Sequence, residues 1–219
     1  MRQPLAAILA LCGMGLTASC GSLYYAAQEK IGNEKRDILV KRVEAGRKDQ
    51  EEAKKQIKTT LEAFQEVTGF QGGDLERVYK KLDGEYQDSA ARANDLKKQI
   101  ASIERVASDM FKEWAREIET LKNQRYKTES RRMLRDTQQR YGVLIAKMRQ
   151  SERKMAPVLA VFRDQVLFLK HNLNARAIQS LKETALQMDT QVEALVQDID
   201  ASIKEADDFI AQMKKDAAS

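Results

Sequence analysis

The sequence predicts an all-α protein, built as an elongated antiparallel coiled-coil hairpin or long helical bundle. The chain of 219 residues has only two prolines, 6% aromatic residues and 32% charged residues, a composition typical of long helices with thin cores. Apolar residues recur at steps of three and four over long stretches, as in a coiled-coil seam. No stretch alternates apolar and polar residues for long enough to predict a strand.

The longest predicted helix spans about residues 86–155, which contain no proline and one interior glycine, Gly142. Its seam comprises Leu96, Ile100, Ile103, Ala107, Met110, Trp114, Ile118 and Leu121, and then Leu134, Thr137, Tyr141, Leu144 and Met148. The polar run at 122–132 interrupts this seam, so we expect the rod to be loosely paired or solvated there. A helix of this length would be roughly 100 Å long, and its narrow stripe can be buried only against other long helices.

Pro157 is predicted to end the long helix, because the residue before a proline is disfavoured in the helical region. A last helix is expected over about residues 157–214, with an apolar seam running from Leu181 to Met213. Residues 158–162 and 166–169 form the most apolar part of the chain after the N-terminal segment. That run is too apolar for a two-position seam, so we expect it to be buried on more than one side.

A first helix is predicted over about residues 23–68. Three glycines between Gly69 and Gly73 predict a turn, with Asp74 as the cap of the following segment. A short helical piece and a second turn at Asp83-Gly84 are expected before the long helix. Residues 23–219 are therefore predicted to form a single elongated helical domain.

The N-terminal segment has the features of an export signal. Arg2 precedes an apolar run from Leu5 to Leu16, and small residues lead to Cys20, which predicts a signal peptide over residues 1–19. The run is too short to span a bilayer, which needs about 20 residues. Ending in a cysteine, it resembles a bacterial lipobox, in which Cys20 would carry the lipid and residues 20–22 would form a link.

This resemblance implies a periplasmic protein held by a lipid anchor. Gly21 follows the cysteine, where an aspartate tends to mark retention in the inner membrane of enterobacteria, so the resemblance favours the outer membrane. Cleavage before Cys20 would also discard Cys12 and leave no free thiol, which suits an oxidising compartment. The alternative is simple secretion after an ordinary cleavage near Ala18 or Ser19.

Charge is distributed unevenly between the predicted helices. Residues 122–154 contain eleven Lys and Arg against three acids, whereas residues 181–219 contain four Lys against nine acids. If Pro157 reverses the chain, the acidic helix runs back along the basic one and the two neutralise each other. Any basic surface left for an anionic polymer or lipid is predicted at Arg125, Lys127, Arg131, Arg132 and Arg135.

Most catalytic chemistries lack their residues in this chain. His171 is the single histidine and no cysteine follows Cys20, which excludes multi-histidine metal sites and thiol nucleophiles. There is no Gly-x-Ser-x-Gly elbow, and we expect His171 to lie at a helix end. We therefore predict no enzyme activity, no cofactor and no metal site. Nucleic acid is not expected as a partner, because the basic segment has one interleaved tyrosine and an acidic helix nearby.

Two stretches carry a resemblance to a known family. Residues 168–178 (FLKHNLNARAI) and residues 202–210 (SIKEADDFI) resemble an uncharacterised family of helical proteobacterial envelope proteins, catalogued as a domain of unknown function. The resemblance would cover nearly all of the chain after the signal peptide. It implies a helical fold and brings no catalytic residues.

These observations together lead to a functional expectation. We expect a tethered periplasmic scaffold or adaptor that holds or spaces an envelope partner, through a protein partner or self-association along its helical seams. The alternative is a peripheral binding module whose basic segment docks on an anionic polymer or lipid surface. Salt distinguishes the two, because only the charge-driven contact weakens steeply with ionic strength.

Overall fold

The computed structural model describes residues 35–218, with side chains described from Lys35 to Asp216. Within this range it contains four helices and no strand, so the all-α prediction is confirmed. The helices are α1 (Lys35–Thr68), α2 (Leu75–Thr120), α3 (Gln124–His171) and α4 (Ala175–Ala218). The predicted signal peptide, Cys20 with its link, and residues 23–34 of the predicted first helix lie outside the described residues.

Neighbouring helices run in opposite directions, as their side-chain contacts show. For each pair of neighbouring helices, two contacts show that residue numbers rise along one helix as they fall along the other. The pairs are Gln99 to Arg42 and Ser89 to Thr60 for α1 and α2, Glu104 to Arg149 and Glu119 to Lys127 for α2 and α3, Arg140 to Asp216 and Lys154 to Asp198 for α3 and α4, and Glu44 to Lys214 and Lys54 to Asp200 for α1 and α4. The four helices thus form an up-down-up-down bundle.

The diagonal helices α1 and α3 run parallel and meet in the core. The rings of Phe64 and Phe162 lie edge to face with centroids 6.4 Å apart. Gln50 donates from Nε2 to the hydroxyls of Ser151 (3.0 Å) and Ser202 (2.7 Å), which joins α1, α3 and α4 in one buried polar layer. A buried polar contact of this kind is best known for fixing the register of packed helices.

The prediction of one long helix over residues 86–155 was wrong about both of its ends and about its continuity in the middle. The chain reverses at Leu121–Asn123, between α2 and α3, and α2 begins at Leu75. Asn123 caps α3, because its side-chain Oδ1 accepts the backbone N–H groups of Arg125 (2.9 Å) and Tyr126 (3.3 Å). The polar run that interrupts the seam is therefore a turn and the start of a new helix, not a loosely paired stretch.

Pro157 does not end a helix, so the predicted boundary between 86–155 and 157–214 was also wrong. It lies inside α3, which continues to His171. Proline removes one backbone hydrogen bond, but Pro157 is on the exposed face, where water can serve the carbonyl it leaves unpaired. Met155 and Val158 on either side are buried, and their packing holds the helix together across the proline.

The predicted turn at Gly69–Gly73 is confirmed. Gly72 and Gly73 have φ of 151° and 112°, which favours glycine at both positions. Asp74 caps α2 by accepting the N–H of Arg77 at 3.0 Å, as predicted. The second turn predicted at Asp83-Gly84 was wrong, because α2 continues through both residues.

Most residues of the predicted seams form the core of the bundle, but Leu121, predicted in the seam, is 39% exposed at the end of α2. Leu96, Ile100 and Ile103 of α2 are fully buried, and so is Ile199 of α4. The expectation that residues 158–169 are buried on more than one side was wrong. Only Val158, Phe162, Val166 and Leu169 are buried there, at seam spacing, whereas Leu167 and Phe168 are 43% and 40% exposed.

Candidate functional site

Between Lys35 and Asp216 no group of three or more His, Cys, Asp or Glu side chains could hold a metal ion. No described helix combines the length and apolarity that a membrane crossing requires. A shallow groove of about 310 Å³ lies between α1 and the end of α4, where Arg36 donates to the carbonyl of Met213 at 2.8 Å.

The turn between α2 and α3, with the helix ends beside it, forms a tip that holds the five predicted surface contacts. Lys127 and Arg131 both bind Glu119 of α2, each at 2.8 Å. Arg132 binds Glu129 at 2.6 Å. Three of the five predicted cations are thus neutralised by acids of the same hairpin, and that reduces what the tip can offer an anionic surface.

The other two predicted contacts differ from these three. Arg125 and Arg135 are exposed on α3, and neither forms an ion pair among the described residues. They lie ten residues apart, which is about 15 Å along a helix. The structure therefore leaves two separated charges where the sequence predicted a cluster of five.

The basic half of α3 faces the acidic α4, as the charge distribution predicted. Arg140 binds Asp216 at 2.8 Å, and Lys154 binds Asp198. On its other side α3 binds α2 through Arg149, whose guanidinium holds both carboxylate oxygens of Glu104. Charge matching within the bundle accounts for these cations, although the reversal that brings α4 back lies at residues 172–174 and not at Pro157.

Glu119 is the most perturbed carboxyl of the tip. Hydrogen bonds from Lys127 and Arg131 lower its pKa from 4.5 to about 2. Both bonds cross the turn between α2 and α3, so the ionised carboxylate ties the two helix ends together. Trp114 lies on the same part of α2 and donates from Nε1 to Ser130 of α3 at 2.9 Å. As the single tryptophan of the chain, it reports optically on this tip.

We expect acid to weaken the tip specifically through Glu119. A carboxyl whose pKa is lowered by folding stabilises the folded state above its unfolded pKa of 4.5 and loses that effect as the pH falls through about 2. Glu119→Gln should therefore be less stable than wild type above pH 4.5, and the difference should vanish near pH 2. Urea unfolding followed by Trp114 emission measures it.

Glu117→Gln is the matched control, since Glu117 is exposed two residues away on the same helix and forms no described ion pair. Its stability should track that of wild type at each pH. A Glu119→Gln deficit that persists unchanged at pH 2 would show that the two ion pairs are not its cause.

Exposed large apolar side chains, several of which the sequence predicted to be buried, lie near the two ends of the bundle. Leu121 and Tyr126 lie at the tip, 39% and 64% exposed. The opposite end carries Leu167, Phe168 and Leu173, with Leu186 nearby on α4, and Val143 of α3 is exposed away from both ends. Leu167 and Phe168 fall off the seam that runs through Phe162, Val166 and Leu169, and this spacing could have predicted their exposure.

His171 lies at a helix end, as expected. It is the last residue of α3 and is exposed to solvent. Asn172 follows it as the cap and donates from Nδ2 to the carbonyl of Phe168 at 2.9 Å. Asn174 then accepts the N–H of Ala177 at 3.0 Å and starts α4.

Comparison with known proteins gives a family but no activity. The family model described as "Protein of unknown function (DUF2959)" matches residues 24–213, so the chain belongs to that family. No curated protein and no solved structure matches the chain. The resemblance to a domain of unknown function is confirmed by this match.

Proposed function

We propose that this member of the DUF2959 family is a non-enzymatic, lipid-anchored scaffold or adaptor of the periplasm that holds or spaces envelope partners. The observation that carries the proposal is the placement of exposed apolar side chains at the two ends of a long bundle. Apolar groups exposed together are typical of contact surfaces. A rod with apolar contact surfaces at both ends is suited to holding two binding partners at a fixed distance.

The dimensions of the bundle fit this role. Its longest helix, α3, has 48 residues, which corresponds to about 72 Å at 1.5 Å per residue. The flanks between the ends carry charged side chains that pair within the chain, such as Arg92 with Glu52. Antiparallel packing of all neighbouring helices gives the rod a stiff core, so that a partner at one end is held away from the other.

The location is argued from the N-terminal sequence. Arg2, the apolar run from Leu5 to Leu16 and the small residues before Cys20 have the order of a lipoprotein signal. Lipid at Cys20 would tether the chain to a membrane, and Gly21 favours the outer one. The family resemblance adds a proteobacterial envelope as the setting.

The alternative, a module that docks its basic segment on an anionic surface, is less well supported by the geometry. Three of its five predicted cations, Lys127, Arg131 and Arg132, already bind Glu119 and Glu129, which leaves only Arg125 and Arg135 unpaired among the described residues. Releasing the three bound cations would require breaking those pairs. The tip of the bundle is better suited to a protein partner that covers Leu121 and Tyr126.

The test places a photo-reactive amino acid at Tyr126 of the full chain and recovers the protein from bacterial membranes. We expect a chain that begins at Cys20 and carries acyl mass, with Cys20→Ser lacking that mass. We also expect cross-links to a protein from position 126. Val143, which is apolar and 46% exposed on the flank of α3, is the matched position and should give none.

The two parts of the proposal fail separately in this experiment. A wild-type chain that keeps its first nineteen residues and stays in the cytosol would remove the location. Equal cross-linking from positions 126 and 143, in a chain with the expected mass, would remove the end-on adaptor role and leave the location standing.

A further inference from the structure

The end of the bundle opposite the tip exposes apolar side chains that its own helices do not cover. We call the last turn of α3, the connecting residues 172–174 and the first turns of α4 the distal end. Leu167 and Phe168 are 43% and 40% exposed on α3, and Leu173 in the turn is 40% exposed. Leu167 lies four residues before the end of α3, about 6 Å along the helix. These side chains therefore lie close to the end surface.

The charge of the distal end has one sign over a long stretch. Residues 165–182 contain Lys170, Arg176 and Lys182 and no aspartate or glutamate. All three cations are exposed, and none of them forms an ion pair within residues 35–216. At the tip, by comparison, Glu119 and Glu129 bind three of the five predicted cations, and Arg125 and Arg135 stay unpaired within the same described range.

The other half of the same end, where α1 leads into α2, does not cancel this charge. Its acids are already engaged locally: Glu66 binds Lys81 at 2.6 Å and Glu76 binds Lys80 at 2.7 Å. Asp74 caps α2 through the N–H of Arg77. Lys170 and Arg176, which lie nearest the turn between α3 and α4, thus remain unpaired in the described part of the chain, whereas the exposed acids Glu62 and Glu183 lie further from that turn.

The apolar and basic side chains of the distal end together indicate which kind of partner can bind there. A second copy of this end would bring Lys170, Arg176 and Lys182 against their own copies, and that contact is repulsive. Single-stranded nucleic acid needs aromatic platforms for its bases, and Phe168 is the one aromatic side chain exposed here in the described region. An anionic bilayer takes up both features, because apolar side chains enter the headgroup boundary to about 5–10 Å while cations bind the headgroups.

We propose that the distal end docks on the surface of an anionic phospholipid bilayer, with Leu167, Phe168 and Leu173 entering the headgroup boundary and Lys170, Arg176 and Lys182 binding lipid phosphates. The inference rests on the proposed function, since it names the partner of one end of the adaptor. The rod then has a protein at its tip and a membrane surface at its distal end.

The test measures flotation of the full chain carrying Cys20→Ser, which cannot be acylated at that position, with phospholipid vesicles. We expect binding to vesicles that contain phosphatidylglycerol and much weaker binding to pure phosphatidylcholine. Phe168→Asp with Leu173→Asp should weaken binding by about tenfold or more, given the usual energy of burying such side chains. High salt should weaken it as well, because the Debye length falls from about 10 Å at 0.1 M to about 3 Å at 1 M.

Leu121→Asp with Tyr126→Asp is the matched control, since it places the same charges on exposed apolar residues of the tip. This variant should keep vesicle binding, and Trp114 emission should not change when wild type binds, because Trp114 lies about 58 Å from the start of α2. Far-UV circular dichroism should be the same for all variants.

Three outcomes would overturn the proposal: loss of binding in the tip variant alone, unchanged binding in the distal variant, or equal binding to neutral and anionic vesicles. Binding of a protein or an RNA with no binding of vesicles would overturn it too. None of these results depends on where the chain is processed, so a chain that keeps its first nineteen residues would refute the proposed location without deciding this inference.

Discussion

Phe162→Ala is expected to lower the free energy of unfolding by about 3–5 kcal/mol, the usual range for removing a fully buried phenylalanine. Phe162 has no exposed surface and meets Phe64 of the diagonal helix edge to face. The substitution would leave a cavity between α1 and α3, and long helices on all sides can close only part of it. Urea unfolding followed by far-UV circular dichroism measures the change.

Phe168→Ala is the matched control for this prediction. It makes the same substitution six residues later on the same helix, at a side chain that is 40% exposed. Its effect should be much smaller, within about 0.5 kcal/mol, as is usual for surface positions. An equal loss of unfolding free energy in the two variants would contradict the structure, in which Phe162 is on the buried face of α3 and Phe168 on the exposed face.

Gly46→Leu is the second large prediction, and we expect it to cost about 1–3 kcal/mol through overpacking. A Cβ atom at Gly46 would lie 2.7 Å from Cδ1 of Ile103 and 2.9 Å from Cε of Met148. Both are flexible side-chain ends that could yield to one methyl group. They could not also make room for a whole leucine side chain, because all three helices are close-packed at this level.

Gly142→Leu serves as the control with the opposite sign. Gly142 lies inside α3, and nothing lies within 4 Å of a Cβ placed there. Leucine is a better helix former than glycine, so this variant should gain up to about 1 kcal/mol. Chemical denaturation of both variants decides the matter, and a gain at Gly46 or a large loss at Gly142 would contradict the packing described here.

The buried polar layer explains why some polar residues lie on the apolar seams. Gln50 follows Val43 and Gly46 at seam spacing, yet it is fully buried and binds Ser151 and Ser202. Its Oε1 atom has no hydrogen-bond partner in the described region, which costs stability. Such a layer penalises any sliding of the helices, because a shifted register would bury these groups against apolar neighbours. A polar residue on a seam is the sequence signal for it.

The candidate contact surfaces could be predicted only in part. The five cations of the tip are evident as a basic run, but their neutralisation depends on Glu119, which lies on a different helix from Lys127 and Arg131. The exposed residues of the distal end on α3 belong to the most apolar stretch that follows the N-terminal segment, and that composition suggested burial on several sides. A helix in a four-helix bundle has one buried face that recurs every three or four residues, so the residues of an apolar run between those positions must face solvent.

The sequence by itself determined that the chain is helical, most of its apolar seams, the glycine turn with its Asp74 cap and the attraction between a basic and an acidic segment, because local backbone preferences and periodicity set these. Tertiary structure decided where the chain reverses. Asn123 became a turn because the seam offered no apolar burial there, and Pro157 remained helical because Met155 and Val158 pack on either side of it. Core contacts outweigh the single hydrogen bond that Pro157 removes, and these contacts cannot be predicted from the residues next to the proline alone.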